Sequence, residues 1–225
     1  MRQKYGPRYV VVTAAKDEES FLEKTIKSVL AQTHMPTRWF LVDDQSSDST
    51  REIANKYAES TGLIEVISRR TSEGKGFASQ VYATQAGYAA SRAMDYDYLA
   101  ILDADIELSP VHYQTLLQRC EADRALGLTG CLVADVYAYG LDYGRMGSLD
   151  FHVPGAVQLF RRQCYEDIGG YLPLSCGGQD VVAGTMARMR GWKVSAFGDL
   201  VAYHLKPPPC NGRDAMRQRW RAGRR

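Results

Sequence analysis

Asp103 and Asp105 stand one residue apart at the end of the run Tyr98-Leu-Ala-Ile-Leu-Asp-Ala-Asp, and their type and spacing suit chemistry better than anything else in the chain. The apolar residues before them read as a buried strand. Side chains at i and i+2 of an extended segment point to the same side. Both carboxylates can therefore face one point beyond the end of a sheet, where α/β proteins bind ligands. Hard oxygen donors suit Mg²⁺ or Mn²⁺, which usually need one or two carboxylates plus substrate phosphates. An isolated Asp-x-Asp is more often a solvated turn, so the rest of the chain has to decide.

A second chemical signal is Gly74-Lys75-Gly76 ahead of a helical stretch. It combines a flexible backbone, a cation and a helix N-terminus, all favourable to phosphate. It is not a P-loop, because Arg69 stands where the first glycine is required and Gly76 where Ser or Thr is required.

The elements that must hold these residues alternate between strand and helix patterns, which predicts an α/β fold with a mostly parallel sheet and covering helices. Strands are expected over Tyr9–Ala14, Trp39–Val42 (ending in Asp43-Asp44), Leu63–Ile67 and the run before Asp103. Ser20-Phe-Leu-Glu23 has the form of a capping box, with Leu22, Ile26, Val29 and Leu30 at helical spacing after it. Ser47 to Ser49 are expected to cap a helix carrying Ile53 and Tyr57. Phe77 to Ala90 is predicted helical, another helix follows Pro110, and strands are expected over Gly127–Val133 and Ala156–Phe160. Asp135 to Pro154, rich in Gly, Tyr and Asp, reads as a long loop or irregular hairpin of the kind that is usually functional. Val181 to Arg190 is predicted helical, with Val182, Met186 and Met189 on one face and Gly191 as its stop.

Composition is that of an ordinary soluble globular protein, with 45% hydrophobic and 24% charged residues and a net charge of +2 over 225 residues. Six arginines and one aspartate crowd Arg213 to Arg225, while acidic residues outnumber basic ones elsewhere. A nucleic-acid-binding module is a poor fit to that distribution. The basic tail, 206–225, suggests peripheral contact with an anionic membrane surface. Five cysteines without Cys-x-x-Cys spacing argue against a disulfide framework or zinc site and fit a reducing cytosol. No signal peptide is read and no apolar run approaches the roughly 18 residues of a membrane span. A cytoplasmic location, at the cytoplasmic face of the membrane, is the expectation, with membrane-associated sequence expected beyond Arg225.

Six motifs in order resemble the family-two glycosyltransferases of the GT-A fold, over roughly Val10 to His204. They are Val11-Val-Thr-Ala-Ala-Lys-Asp-Glu-Glu19, Leu41-Val-Asp-Asp-Gln-Ser-Ser-Asp-Ser-Thr50, Asp103-Ala-Asp105, Gly155-Ala-Val-Gln-Leu-Phe-Arg-Arg162, Ile168-Gly-Gly-Tyr171, and Gly178-Gln-Asp180 leading a helix that ends Arg190-Gly-Trp192. The resemblance implies one catalytic domain over 1–205, with a nucleotide-binding half at about 1–105 and an acceptor-binding half at about 106–205. It also implies a nucleotide-diphosphate sugar donor and a saccharide or lipid-linked acceptor.

By the same resemblance, Asp103 and Asp105 hold Mg²⁺ or Mn²⁺, with His204 as a third ligand and Asp103 also near the ribose. Ala14, Glu18 and one of Asp43 and Asp44, with Asp44 preferred, contact the nucleotide, and Lys75 meets the diphosphate. Asp180 is the candidate general base, and Gln179 and Trp220 face the acceptor. For Asp180, His204 and Lys75, the alternatives are an ordinary helix-start aspartate, a packing histidine and a solvated lysine. The chain departs from the family pattern at Lys16-Asp17, where Tyr-Asn is usual, and at Gln179-Asp180, which keeps one carboxylate of an acidic pair. Met216 replaces the Gln of the Gln-x-x-Arg-Trp found in polymerising members, which implies a single-sugar transferase. A non-catalytic nucleotide-sugar-binding protein on the same fold, or a sugar-phosphate nucleotidyltransferase, are the competing readings. The first would be expected to have lost these carboxylates, and the second to carry a Gly-rich first loop.

Overall fold

In the computed structural model the described residues are 6–70, 77–137, 140–142 and 152–206. Lys75, Trp220 and most of the 135–154 stretch's tip lie outside them. Strands β1 (Tyr9–Ala15), β2 (Arg38–Asp43), β3 (Ile64–Ser68) and β4 (Tyr98–Leu102) pair in parallel in the order β3-β2-β1-β4. Helices α1 (Leu22–Leu30), α2 (Thr50–Thr61) and α3 (Phe77–Ser91) make the crossovers. β1 reads Tyr-Val-Val-Val-Thr-Ala-Ala because both of its faces are covered: Tyr9 and Val11 join one core and Val10 and Val12 the other.

The second half is largely antiparallel. β4 pairs antiparallel with β8 (Val157–Arg161), which pairs antiparallel with β6 (Leu126–Tyr137). β6 then runs parallel to β9 (Lys193–His204), whose other edge pairs with the two-residue β5 (Ile106–Glu107). β7 (Gly140–Asp142) folds back on β6, so the 135–154 stretch does open as a hairpin. Helices α4 (His112–Ala122), α5 (Arg162–Asp167) and α6 (Gln179–Met189) pack against this half.

Three local expectations need correction. The Ser20–Glu23 capping box does not form: α1 starts one residue later, with Phe21 as its N-cap, and the Glu18 carbonyl accepts from the Phe21 and Leu22 amides. Glu23 instead accepts a hydrogen bond from the Tyr57 hydroxyl on α2. At the start of α2 the cap falls within Ser47–Ser49 as expected, but on Asp48 and not on a serine: it accepts from both the Thr50 amide and hydroxyl. On α6 the buried stripe is Ala183, Gly184 and Ala187, while Met189 is 80% exposed. Small residues win there because the helix lies close to the sheet. Gly191, at φ +85°, follows α6 as the left-handed residue expected to stop it.

One buried group gives a pH prediction. His112 is fully buried, with its edge against Tyr113, and neither ring nitrogen has a hydrogen-bond partner among the described residues. Burial pushes its pKa down to about 4. The unfolded chain therefore binds a proton that the folded chain refuses. Stability is full above about pH 6.5 and falls as pH drops from there to about 4. The loss expected from this residue is about 3 kcal/mol. Urea midpoints at pH 7.5 and 4.5, compared between wild type and His112→Leu, check it: the variant should lose less on acidification.

Candidate active site

The site lies where the parallel strands end. A cavity of about 590 Å³ opens there, with Ala14 at the end of β1 and Glu18 in the loop after it, Asp44 after β2, and Asp103 and Asp105 after β4. The loops after β1 and β2 are sewn together. The Asp17 carboxylate accepts from the Ser47 amide at 2.8 Å, and the Glu18 amide donates to the Thr50 hydroxyl at 2.7 Å. Asp17 and Gln45 hold φ of +54° and +62°, a strain that clusters at functional loops. Asp17 thus spends its carboxylate on loop structure, while Lys16 lines the cavity.

The Asp103–Asp105 turn is pinned at three successive residues. The Asp103 amide donates to the Ala156 carbonyl at 2.9 Å, Thr25 Oγ1 of α1 donates to the Ala104 carbonyl at 2.8 Å, and the Leu205 amide donates to the Asp105 carbonyl at 2.8 Å. Thr25→Val would leave a buried carbonyl unpaired, and a loss of about 1–3 kcal/mol is expected in chemical unfolding.

Of the two aspartates after β2, Asp44 faces the cavity. Asp43 is buried in the turn and accepts from the Ser46 amide at 3.1 Å. Asp44 forms a buried ion pair with Arg69 at 2.6 Å and takes a hydrogen bond from Ser79 of α3. Ser79 and its neighbour Gln80 also line the cavity, and Gln80 Nε2 donates to Asp103 Oδ1 at 2.9 Å. Arg69, Ser79 and Gln80 carry no signal in the sequence beyond following β3 and opening α3.

Asp180, Gln179 and His204 do not line this cavity; Asp180 approaches Asp103 from the other half of the sheet. It sits in the first turn of α6, and its Oδ2 accepts from the Gly155 amide at 3.1 Å. The next residue, Ala156, is the one that holds the Asp103 amide. A single dipeptide just before β8 therefore holds both Asp103 and Asp180. Gly155 eases this approach: a Cβ there would stand 3.2–3.4 Å from Asp180 side-chain atoms, which would have to give way by a few tenths of an ångström. Gln179 opens α6, with its Oε1 buried and unpartnered among the described residues.

Negative charge is concentrated here. Burial, and then the neighbouring Asp105 carboxylate, push Asp103 up to about 7. Burial also raises Glu18, whose Oε1 accepts from Lys206 at 2.6 Å and whose Oε2 is buried and unpartnered among the described residues. His204 is pushed up to about 9, first by its hydrogen bond to Asp105. Its Nε2 lies 3.0 Å from Asp105 and its Nδ1 2.7 Å from Asp135.

Asp103 and Asp105 fit a divalent cation as hard donors whose charge the fold leaves under-compensated. Among the described residues, however, no three His, Cys, Asp or Glu side chains are arranged to hold an ion. His204 comes to the site through Asp105, to which it is bonded, rather than converging with Asp103 and Asp105 on one point. Two carboxylates completed by substrate phosphate are therefore the set this geometry suits.

A family model described as glycosyl transferase family 2 matches residues 10–167. The chain belongs to glycosyltransferase family 2. Poly-beta-1,6-N-acetyl-D-glucosamine synthase of Staphylococcus aureus is 22% identical over 230 residues, covering 93% of this chain and 53% of the relative. The uncharacterized glycosyltransferase EpsJ of Bacillus subtilis is 30% identical over 125 residues, covering 56% of this chain and 33% of the relative. The chain thus spans a third to about half the length of these curated relatives.

Among solved structures, the mannosyltransferase PcManGT from Pyrobaculum calidifontis, in complex with GDP-Man and Mn²⁺, superposes with a TM-score of 0.70 at 22% identity. That match covers 95% of this chain and 61% of that one. GalNAc-T7 with UDP, GalNAc and Mn²⁺ gives 0.72 at 18%, covering 91% and 45%. Staphylococcus aureus TarS with UDP-GlcNAc gives 0.69 at 16%, covering 90% and 59%. The fold is that of the GT-A glycosyltransferases, as the motif order implied. Among the described residues no helix is long and apolar enough to cross a membrane.

Proposed function

We propose that this family-two chain moves one sugar from a nucleotide-diphosphate donor to a hydroxyl of a saccharide or lipid-linked acceptor, with inversion at the anomeric carbon. The observation that carries the reading is the Gly155-Ala156 dipeptide, whose adjacent main-chain groups bond Asp180 and Asp103. Solved neighbours of the same fold hold GDP-Man with Mn²⁺ or UDP with Mn²⁺, which supports a nucleotide sugar and a divalent metal here.

Asp44, backed by Arg69, and Glu18 line the cavity and would accept hydrogen bonds from the base and ribose. Asp103 and Asp105 would hold Mg²⁺ or Mn²⁺, which as a Lewis acid stabilises the charge developing on the leaving diphosphate. Asp180 takes the proton of the acceptor hydroxyl as its oxygen bonds to the anomeric carbon. The bond from that carbon to the diphosphate oxygen breaks on the opposite face, and the electron pair leaves with the nucleoside diphosphate. With a phosphate acceptor no base is needed, and Asp180 orients it. Lys75 at the diphosphate, Trp220 at the acceptor and the basic tail at a membrane surface belong to the same reading and lie in segments outside the described residues, Lys206 apart.

The test is the anomeric configuration of the first product, read by proton NMR after incubation with nucleotide sugars, Mn²⁺ and saccharide acceptors. An α-linked donor is expected to give a β-linked product. A product that retains the donor's configuration would overturn the inverting role of Asp180.

A further inference from the structure

Two groups of one short segment meet the same oxygen of Asp180. The Gly155 amide donates to Asp180 Oδ2 at 3.1 Å, and His152 Nε2 stands 3.6 Å from that oxygen. The Val181 amide holds Oδ1 at 2.9 Å. The segment is anchored between its two contacts. Val153 is buried in the same core cluster as Ala183 and Ala187 of α6, and its carbonyl accepts from the Gln158 side chain at 2.8 Å. Pro154 restricts its own backbone and that of Val153, and its carbonyl accepts from the Val157 amide at 3.2 Å. His152 is therefore presented to Asp180 by fixed main chain. Among the described residues, Asp180 is the one carboxylate within ion-pair distance of His152.

A base that takes a proton at every turnover needs a way to lose it. The Asp180 side chain is 20% exposed and that of His152 39%. Two other titratable groups feel the charge of Asp180, Tyr171 and Asp103. The Tyr171 hydroxyl is spent on Gln158, and Asp103 accepts from Gln80. His152 is left as the route outward, and an imidazole is a stronger base than a carboxylate and a common proton shuttle. A hydrogen bond between Oδ2 and Nε2 needs one proton between them, which the reaction supplies. The 3.6 Å step is closed by tightening on substrate binding or by one bridging water. We infer that His152 is a positioning residue for Asp180 and the outlet for the proton that Asp180 takes. The inference rests on Asp180 as the base of the proposed function. The acceptor hydroxyl's proton passes to Asp180 Oδ2 as the new carbon–oxygen bond forms, then to the lone pair of His152 Nε2. The imidazolium releases a proton to water, and Asp180 is a carboxylate again for the next turnover.

The test compares His152→Ala, His152→Gln and Asp180→Asn with wild type, by kinetics with the nucleotide sugar and saccharide that wild type turns over and by calorimetry of the donor. In His152→Ala, kcat is expected to fall by about 10–100-fold, less than for loss of the base itself because water remains as a slower proton acceptor. Acceptor KM and donor affinity are expected to stay at the wild-type level. Added imidazole is expected to raise kcat in His152→Ala and to leave Asp180→Asn unchanged. His152→Gln keeps an N–H donor but cannot take a proton, so it is expected to stay as slow as His152→Ala. Absence of imidazole rescue overturns the inference, and so does wild-type kcat in His152→Ala. Full transfer by His152→Gln marks His152 as merely structural and overturns it too. Full transfer by Asp180→Asn, or no transfer from any nucleotide sugar by wild type, removes the base reading and the inference with it. The wild-type and Asp180 arms therefore tell the two failures apart.

Discussion

Asp180→Asn is expected to lower transfer to a hydroxyl acceptor by about 10²–10⁴-fold, the range a positioned general base contributes, while donor affinity stays at the wild-type level. The substitution is nearly isosteric. An asparagine carbonyl can still accept the Gly155 amide that now meets Oδ2 at 3.1 Å, so the start of α6 and the Asp103 turn beside it should keep their geometry. What is lost is the capacity to take a proton. Steady-state kinetics with the matched donor, beside calorimetry of that donor, separates the two effects: kcat falls while the dissociation constant does not move. Full transfer by the variant would remove Asp180 from the chemistry and leave it as a helix-start aspartate.

Asp105→Asn is expected to have an effect of similar size by a different route. Asp105 is 7% exposed and faces the cavity on one side and His204 Nε2 on the other. Removing its charge weakens a hard-cation site built on two carboxylates, and it leaves His204 without the carboxylate that raises its pKa. Metal-dependent donor binding should fall below detection. Transfer should drop by at least about 10²–10³-fold, the cost of deleting one electrostatic stabiliser of developing charge. Donor binding in EDTA should match that of wild type in EDTA. Unaltered Mn²⁺-dependent binding in this variant would place the cation elsewhere. The fold itself should survive, because the turn is held through its own main chain, by the Thr25 hydroxyl, the Leu205 amide and the Ala156 carbonyl, rather than by the Asp105 carboxylate.

Much of the parallel half of the sheet was legible because its signals are local. A strand covered on both faces writes itself as a continuous apolar run, as β1 and β4 do. The Asp-x-Asp pair then lands at the strand end by periodicity alone. Which of Asp43 and Asp44 lines the cavity was not legible locally: Asp44 does, while Asp43 is held in the turn by the Ser46 amide.

The parts that escaped are those settled across the chain. Asp135 and His204 are 69 residues apart, and nothing near Asp135 distinguishes it from the Gly- and Tyr-rich hairpin that follows. Arg69 finds Asp44 over 25 residues. β5 is two residues long and exists only as the edge partner of β9. The first part of β9 was hidden by its own irregularity: Cys131 pairs with Phe197 but Leu132 pairs with Val201, so Gly198, Asp199 and Leu200 bulge out of the pattern. Asp199 is used there in an ion pair with Arg119. The Ser20–Glu23 capping box failed for the related reason that Glu23 serves the neighbouring helix instead, accepting from the Tyr57 hydroxyl.

The most direct test of the central claim is calorimetry of wild-type protein against a panel of nucleoside diphosphates and nucleotide sugars, with Mn²⁺ and again with EDTA. The account expects one nucleotide to bind in Mn²⁺ and to lose most of its affinity in EDTA, because the diphosphate and the Asp103–Asp105 carboxylates would share the cation. Binding that is indifferent to EDTA, or no binding by any nucleotide in either condition, would contradict it.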